Sequence, residues 1–238
     1  MRISENLIAV REKIQNSAVR AKRTPQDIKL VAVTKTIELP EIIEAVKAGV
    51  TILGENRVQE AQKKITDYEL RVPRPNAEGG TLGVVEWHLI GNLQKNKAKA
   101  AVRLFDLIHS VDSVSLAEEI NRQSQKAGKR QRVLIQVKLS YEATKHGVAE
   151  NELMTLLERI KEMDGLKPEG LMTIPPFFED PEAARPFFIR LRKIREKALA
   201  KGITLPELSM GMSNDFEVAI EEGSTMVRIG TAIFGERN

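Results

Sequence analysis

Short apolar segments alternate with longer amphipathic segments along the 238-residue chain, and this alternation constrains the fold most strongly. The short segments are rich in β-branched residues, as is typical of buried parallel strands, and the longer segments have helical periodicity. The predicted strands cover residues 28–34, 50–54, 85–91, 104–111, 132–139, 165–174, 206–212 and 226–234. Eight strands that alternate with helices predict a (β/α)8 TIM-type barrel, and an open doubly wound sheet is the alternative.

An amphipathic helix is predicted before the first strand, beginning in the segment MRISENLIAVREKI. Residues 71–83, which are rich in proline and glycine, are predicted to form a surface loop between a helix and the third strand. No linker divides the sequence, and barrels of this length are common as single units. We therefore expect residues 1–238 to form one domain.

Composition argues against several classes of protein. The sequence contains no cysteine, so disulfides and thiolate metal sites are excluded, as suits a protein of the reducing cytoplasm. No segment approaches the roughly 18 apolar residues that a membrane span needs. The net charge of +4 is mild, and the basic clusters lie on amphipathic helices, which favours solvated faces over nucleic-acid binding. The three histidines lack metal-ligand spacing, so no metal site is expected.

Polar residues gather at the carboxyl ends of the predicted strands, where barrels of this kind carry their active sites. Lys35 directly follows the first strand. A lysine at the end of a buried strand loses hydration, which favours the neutral amine, and a neutral amine can form a Schiff base with an aldehyde. A lysine that merely extends into solvent is the alternative from position alone.

The end of the seventh predicted strand suggests a phosphate site. Met212 and Ser213 end this strand, and Asn214 with Glu217 matches a capping box that would begin a helix. The free N–H groups and the positive dipole end of a helix N-terminus favour a phosphate. Asp215 and Glu217 bring negative charge into the same turn, so they are expected to point away from it.

The eighth predicted strand contributes Arg228, Gly230 and Thr231. Glycine lets the backbone approach a ligand closely, and threonine offers both an N–H and a hydroxyl. Alternation along a strand places Arg228 on the same face as Gly230, and a buried arginine needs a partner. That partner is either a ligand or a structural carboxylate.

Several segments resemble the pyridoxal phosphate homeostasis proteins, in order from about residue 29 to 235. They read LVAVTKT, ILGENRVQE, WHLIGNLQKNK, HSVDS, LIQVKLS, GLMTI and LSMGMSNDFEVAIEEGSTMVRIGTAIFG. The resemblance implies a barrel like the N-terminal domain of alanine racemase, with pyridoxal 5'-phosphate as the cofactor. It implies the following site residues: Lys35 as the Schiff-base lysine, Ser213, Gly230 and Thr231 at the phosphate, Arg228 at the pyridine nitrogen, and Asn56 and Met212 lining the site.

The resemblance also carries a functional expectation. Alanine racemase completes its site with a tyrosine from a second domain, which we expect this chain to lack because it ends just past the eighth strand. We therefore expect a monomeric protein without catalytic residues, which keeps the cellular cofactor pool balanced and hands the cofactor to apo forms of enzymes that depend on it. The alternatives are a single-domain amino-acid racemase and a basic RNA-binding barrel.

Overall fold

The computed structural model describes residues 2–71, 85–140 and 146–236. The helices are α1 Ile3–Arg20, α2 Leu39–Lys47, α3 Val58–Arg71, α4 Ala98–Leu104, α5 Val114–Lys126, α6 Glu150–Lys161, α7 Arg185–Ala200, α8 Phe216–Glu221 and α9 Thr231–Phe234. The strands are β1 Lys29–Val33, β2 Ile52–Glu55, β3 Glu86–Leu89, β4 Leu107–Val111, β5 Gln131–Lys138, β6 Val148–Ala149, β7 Leu166–Met172, β8 Glu207–Met212 and β9 Met226–Ile229. The predicted loop of residues 71–83 lies outside the described residues except for Arg71, which ends α3.

Eight of these strands form a closed parallel ring, in the order β1, β2, β3, β4, β5, β7, β8 and β9. The ring closes because β9 pairs with β1, in a register that runs from Lys29 opposite Met226 to Ala32 opposite Ile229. Among the described strands, the two-residue strand β6 pairs with the end of β5 alone. The predicted (β/α)8 barrel is thus confirmed, and the open doubly wound sheet is wrong.

The predicted N-terminal helix is also confirmed, as α1, which packs against α2, α8 and α9. Leu7 of this helix is completely buried. Asn6 donates a hydrogen bond to the carbonyl of Ile233 in α9, with a donor–acceptor distance of 2.8 Å. The helix therefore joins the start of the chain to the segment that follows the last strand.

Within the described residues, no helix is both long and apolar enough to cross a membrane.

Two predicted strands include residues that form helices. Leu104 belongs to α4, so the strand predicted over 104–111 begins only at Leu107. The strand predicted over 226–234 ends at Ile229, and α9 follows it. The last β1–β9 pair joins Ala32 to Ile229, and β1 extends only one residue further. The backbone after β9 then forms hydrogen bonds within its own segment, where the amides of 233 and 234 both donate to the carbonyl of Gly230.

Apolar residues form two layers in the barrel. A small cluster fills the interior and comprises Val31, Val33, Ile90, Leu107, Leu134, Met172 and Met226. A much larger cluster fills the space between the strands and the surrounding helices. Alternation along each strand produces this division, because successive side chains point to opposite faces.

Gly211 allows the close approach of β8 and α8, so Gly211→Ala should destabilise the protein. Its φ is +92°, and an added Cβ would lie 2.6 Å from the Ala219 Cβ and 2.9 Å from the Phe216 Cα. We expect a loss of about 2–4 kcal/mol in the free energy of unfolding, from backbone strain and overpacking together. Gly202→Ala is the matched control, because Gly202 has φ +77° but open space around it, and should cost only about 1 kcal/mol. Urea denaturation measures both values, and equal losses would contradict the role of packing.

Candidate functional site

A cavity of about 460 Å³ opens at the carboxyl ends of the strands. The structure brings all the site residues proposed from the sequence to its wall, namely Lys35, Asn56, Met212, Ser213, Arg228, Gly230 and Thr231. They come from the ends of β1, β2, β8 and β9, which are neighbours in the ring. The shared location follows from the parallel arrangement, because all strands end at the same side of the barrel.

A larger groove of about 970 Å³ lies outside the barrel, between α6 and α7. Its lining includes Glu150, whose carboxylate pairs with Arg190 at 2.7 Å and with Lys197 at 3.6 Å. Lysine and arginine side chains otherwise dominate its charged lining, and only the end of β5 contributes residues from the ring. The smaller cavity is the candidate site because chemically distinct groups converge there.

The backbone around Lys35 is held in a defined turn. Thr36 has φ +62°, which is uncommon for a residue other than glycine, and its hydroxyl donates to the Lys35 carbonyl at 2.6 Å. Outside the barrel, the Thr34 hydroxyl donates to Glu55 at 2.6 Å, and Lys64 donates to the same carboxylate oxygen at 2.8 Å. Glu55 is completely buried, so these bonds connect the ends of β1 and β2 where Lys35 enters the cavity.

Ser213 lies where two backbone amides converge. Its hydroxyl oxygen accepts hydrogen bonds from the N–H groups of Gly230 and Ala232, at 3.3 and 3.4 Å. Thr231, between them, is the exposed first residue of α9. The Ser213 hydroxyl and the backbone amides at the start of α9 are donors of the kind that bind an anion such as a phosphate.

The predicted capping box at Asn214 is wrong. Helix α8 has six residues, and the residue before it is Asp215. Asn214 is exposed and donates to the carbonyl of Phe178 at 2.9 Å, so it connects this loop to the loop after β7. The buried Asp215 accepts from the Met212 amide at 2.6 Å, which fixes the turn in place of a cap.

The acidic residues of this turn take different directions. Glu217 pairs with Lys13 at 3.3 Å and with Arg20 at 3.4 Å, so its carboxylate is directed toward α1. Asp215 instead lines the cavity, contrary to the expectation that both would point away. Burial raises the pKa of Asp215, and the nearby cation of Arg228 opposes that rise.

Arg228 is 3% exposed and lines the same cavity. Its Nη1 donates to the Ser209 hydroxyl at 2.5 Å, and its Nη2 donates to the Thr173 carbonyl at 3.0 Å. Among the described residues no carboxylate forms an ion pair with it, so the structural-carboxylate alternative is not observed there. Burial lowers the pKa of Arg228 to about 10, so it is cationic at neutral pH.

Two buried histidines, for which no role was predicted, lie inside the barrel, and one of them contacts Ser209. His109 lies 2.9 Å from the Ser209 hydroxyl through Nδ1 and 3.0 Å from His88 Nδ1 through Nε2. His88 lies 3.1 Å from a carboxylate oxygen of Glu86. Burial lowers the pKa of both imidazoles, and that of His109 lies well below its usual value. The available sequence signal was that both histidines lie within predicted strands, at positions that face the barrel interior.

The loop after β7 supplies cavity residues that sequence reasoning missed. Ile174, Pro176, Phe177 and Phe178 all line the opening, and Phe177 is 77% exposed. The apolar run IPPFF directly after a strand was the available signal.

Gly91 also lines the cavity, and a Cβ there would lie 2.2 Å from the carbonyl oxygen of Asn56. Glycine is therefore required where β3 meets the end of β2.

Comparison with known proteins agrees with this fold. Residues 6–238 match the family described as alanine racemase, N-terminal domain. The chain is also 45% identical to the pyridoxal phosphate homeostasis protein of Aquifex aeolicus (strain VF5), in an alignment that covers 100% of this chain and 99% of that relative. The chain therefore belongs to the alanine racemase N-terminal domain family and, within it, to the pyridoxal phosphate homeostasis proteins.

Two solved structures share the fold of this chain. PipY of Synechococcus elongatus PCC7942, solved with PLP bound, is 35% identical and superposes with a TM-score of 0.83, covering 98% of this chain and 100% of PipY. Alanine racemase of Clostridium difficile 630 is 16% identical with a TM-score of 0.74, covering 99% of this chain and 57% of the racemase. The second likeness shows the shared barrel fold alone.

The buried histidines predict a specific loss of stability in acid. His109 stays neutral in the folded protein, whereas an unfolded histidine binds a proton below pH 6.5, so its contribution is complete above pH 6.5 and is lost as the pH falls. The expected slope is up to about 1.4 kcal/mol per pH unit as the pH falls below about 6.5. His109→Gln removes this titration and should flatten the profile by that amount in urea denaturation series. Parallel profiles for the two proteins would contradict it.

Proposed function

We propose that this chain binds pyridoxal 5'-phosphate, holds it as a Schiff base on Lys35, and serves to keep the intracellular pool of this cofactor balanced. The observation that carries the proposal is the convergence, in one cavity, of Lys35, the amides around Ser213 and the buried Arg228. The curated relatives named for pyridoxal phosphate homeostasis and the PLP-bound PipY structure support it.

The residues present fit this cofactor. A volume of about 460 Å³ lies in the range of small-molecule sites. Ser213 with the amides of Gly230 and Thr231 would hold the phosphate, and Asn56 and Met212 would line the ring. When bound, the cofactor supplies an aldehyde that condenses with an amine, and Lys35 is the amine that the cavity offers.

Arg228 and the cavity wall favour retention of the cofactor over turnover. A guanidinium beside the pyridine nitrogen would keep that nitrogen unprotonated and weaken the ring as an electron sink. Racemisation by two bases needs an acid or base on each face of the substrate. Among the described cavity residues the ionisable ones are Lys35, Asp215 and Arg228, and Asp215 is engaged by the Met212 amide. We therefore infer a carrier or regulator without catalytic turnover, and an amino-acid racemase is the alternative.

The proposed role is sequestration, because a held aldehyde cannot react with stray amines. We place the protein in the cytoplasm because its sequence contains no cysteine. We expect it to be a monomer that delivers the cofactor to apo forms of the enzymes that need it.

Reduction with borohydride, followed by peptide mapping, tests the role of Lys35. We expect a pyridoxyl adduct on the peptide that contains Lys35, and loss of both the adduct and the visible absorbance in Lys35→Met. Lys63→Met is the control, because Lys63 is exposed on α3. An unlabelled wild-type protein, or labelling that survives in Lys35→Met, would refute the assignment.

The same two variants separate the carrier from the racemase. We expect no measurable interconversion of free L- and D-alanine by the loaded wild-type protein. Turnover that disappears in Lys35→Met but persists in Lys63→Met would favour the racemase alternative.

Ser213→Ala tests the phosphate position. Ser213→Ala removes a hydrogen bond to the charged phosphate. The lost binding free energy should weaken pyridoxal phosphate binding by about 10- to 100-fold. Affinity for pyridoxal, which lacks the phosphate, should stay unchanged in the same fluorescence titration. Ser110→Ala is the matched control, because the buried Ser110 hydroxyl lies on β4 and does not line the cavity. An equal loss for both ligands would exclude a phosphate role for Ser213.

A further inference from the structure

A hydrogen-bonded series of side chains runs through the barrel interior, away from the candidate site. It starts at Arg228 and continues through Ser209, His109 and His88 to Glu86, with successive distances of 2.5, 2.9, 3.0 and 3.1 Å. Ser209, His109 and His88 are completely buried. Glu86 is the first residue of β3, and its side chain is 44% exposed. The series therefore connects the cavity to solvent at the opposite end of the barrel.

Ion pairs hold the far end of this series. Arg132 donates to Glu86 through Nη1 and to Glu169 through Nε, both at 2.9 Å. Lys167 pairs with the second oxygen of Glu169 at 2.8 Å. The hydrogen bond from His88, and then those from Arg132, lower the pKa of Glu86 to about 2, so the carboxylate is ionised at neutral pH.

The two ends of the series decide the direction of every hydrogen bond in it. A guanidinium only donates and an ionised carboxylate only accepts. His88 must therefore carry its proton on Nε2 to donate to Glu86, which leaves its Nδ1 as an acceptor. His109 must then donate from Nε2, which leaves its Nδ1 to accept from the Ser209 hydroxyl, and Ser209 accepts from Arg228. The reverse order would leave two acceptors facing each other at His88 and Glu86.

We propose that Ser209, His109 and His88 are positioning residues, which fix the Arg228 guanidinium in one orientation and connect its charge to Glu86 at the far end of the barrel. The inference rests on the proposed cofactor function and deepens it. Two buried acceptors, the Ser209 hydroxyl and the Thr173 carbonyl, bind the two terminal nitrogens of the guanidinium. The intervening groups of the series are neutral and its carboxylate lies at the far end, so the series places no anion against the guanidinium, which lines the cavity together with Asp215.

This arrangement agrees with the contact to the pyridine nitrogen that the proposed function assigns to Arg228. A guanidinium has five N–H donors and no acceptor. A ring with an unprotonated nitrogen satisfies a donor there, whereas a ring that presents an N–H would place two donors together. The cavity should therefore select an aromatic heterocycle with an acceptor nitrogen, such as the deprotonated pyridine of pyridoxal phosphate.

Nitrogen NMR of the imidazoles tests the direction of the series without any cofactor. We expect His88 and His109 to be neutral and to carry their protons on Nε2 at pH 7.5. Glu86→Gln should abolish the single tautomer, because a carboxamide can donate as well as accept. A proton on Nδ1 of either histidine in the wild-type protein would overturn the proposal.

Titration with pyridoxal phosphate tests the effect on Arg228. His109→Leu removes both hydrogen bonds from a buried position and should weaken binding about tenfold, with a shifted absorption band of the bound cofactor. His109→Gln keeps one acceptor and one donor and should restore the wild-type band, which a purely structural role would not require. Ser209→Ala provides a second test of the same effect if His109→Leu does not fold.

The two experiments distinguish this inference from the proposed function. A wild-type protein that binds no pyridoxal phosphate would refute the proposed function, and with it the role of the series toward the cofactor. Normal binding by the wild-type protein, with unchanged affinity and absorption band in His109→Leu and Ser209→Ala, would refute the positioning role alone.

Discussion

The hydrogen bonds between β1 and β9 are the constraint on which the rest of the structure depends. They close the ring of strands, and they place the end of the first strand beside the end of the last. Lys35 and Gly230 therefore share one cavity although they lie near opposite ends of the sequence. Helix α1 reinforces the same closure, because Asn6 binds the carbonyl of Ile233 just beyond β9.

Strand β8 serves both ends of the candidate site. Its residue Ser209 points into the barrel and contacts Arg228, while Ser213, just past its end, receives the amides that follow β9. Between them Gly211 lets α8 pack directly against the strand. The buried Asp215 then fixes the turn by accepting from the Met212 amide. One short segment therefore sets the spacing between the inner and outer ends of the cavity.

The barrel interior combines apolar packing with polar groups that satisfy one another. A small aliphatic cluster fills part of it, and the side chains from Arg228 to Glu86 cross the remainder. Buried polar groups are costly unless each donor finds an acceptor, so such a series is tolerated only when complete. The alanine racemase barrel shares the fold at 16% identity, but a fold does not determine function, which depends on the side chains placed within it.

The sequence by itself determined the alternation of eight strands with helices and the set of residues at the carboxyl ends of those strands. Strand periodicity and parallel order suffice for that, because they place Lys35, Ser213 and Gly230 at strand ends on the same side of the sheet, whereas closure into a barrel rests on the pairing of β1 with β9. Only the tertiary structure decided that residues 231–234 form a helix, that Asp215 and not Asn214 fixes the turn before α8, and that His88 and His109 join Ser209 beneath Arg228. These features depend on where neighbouring strands end and on contacts across a closed barrel, and local sequence patterns contain neither.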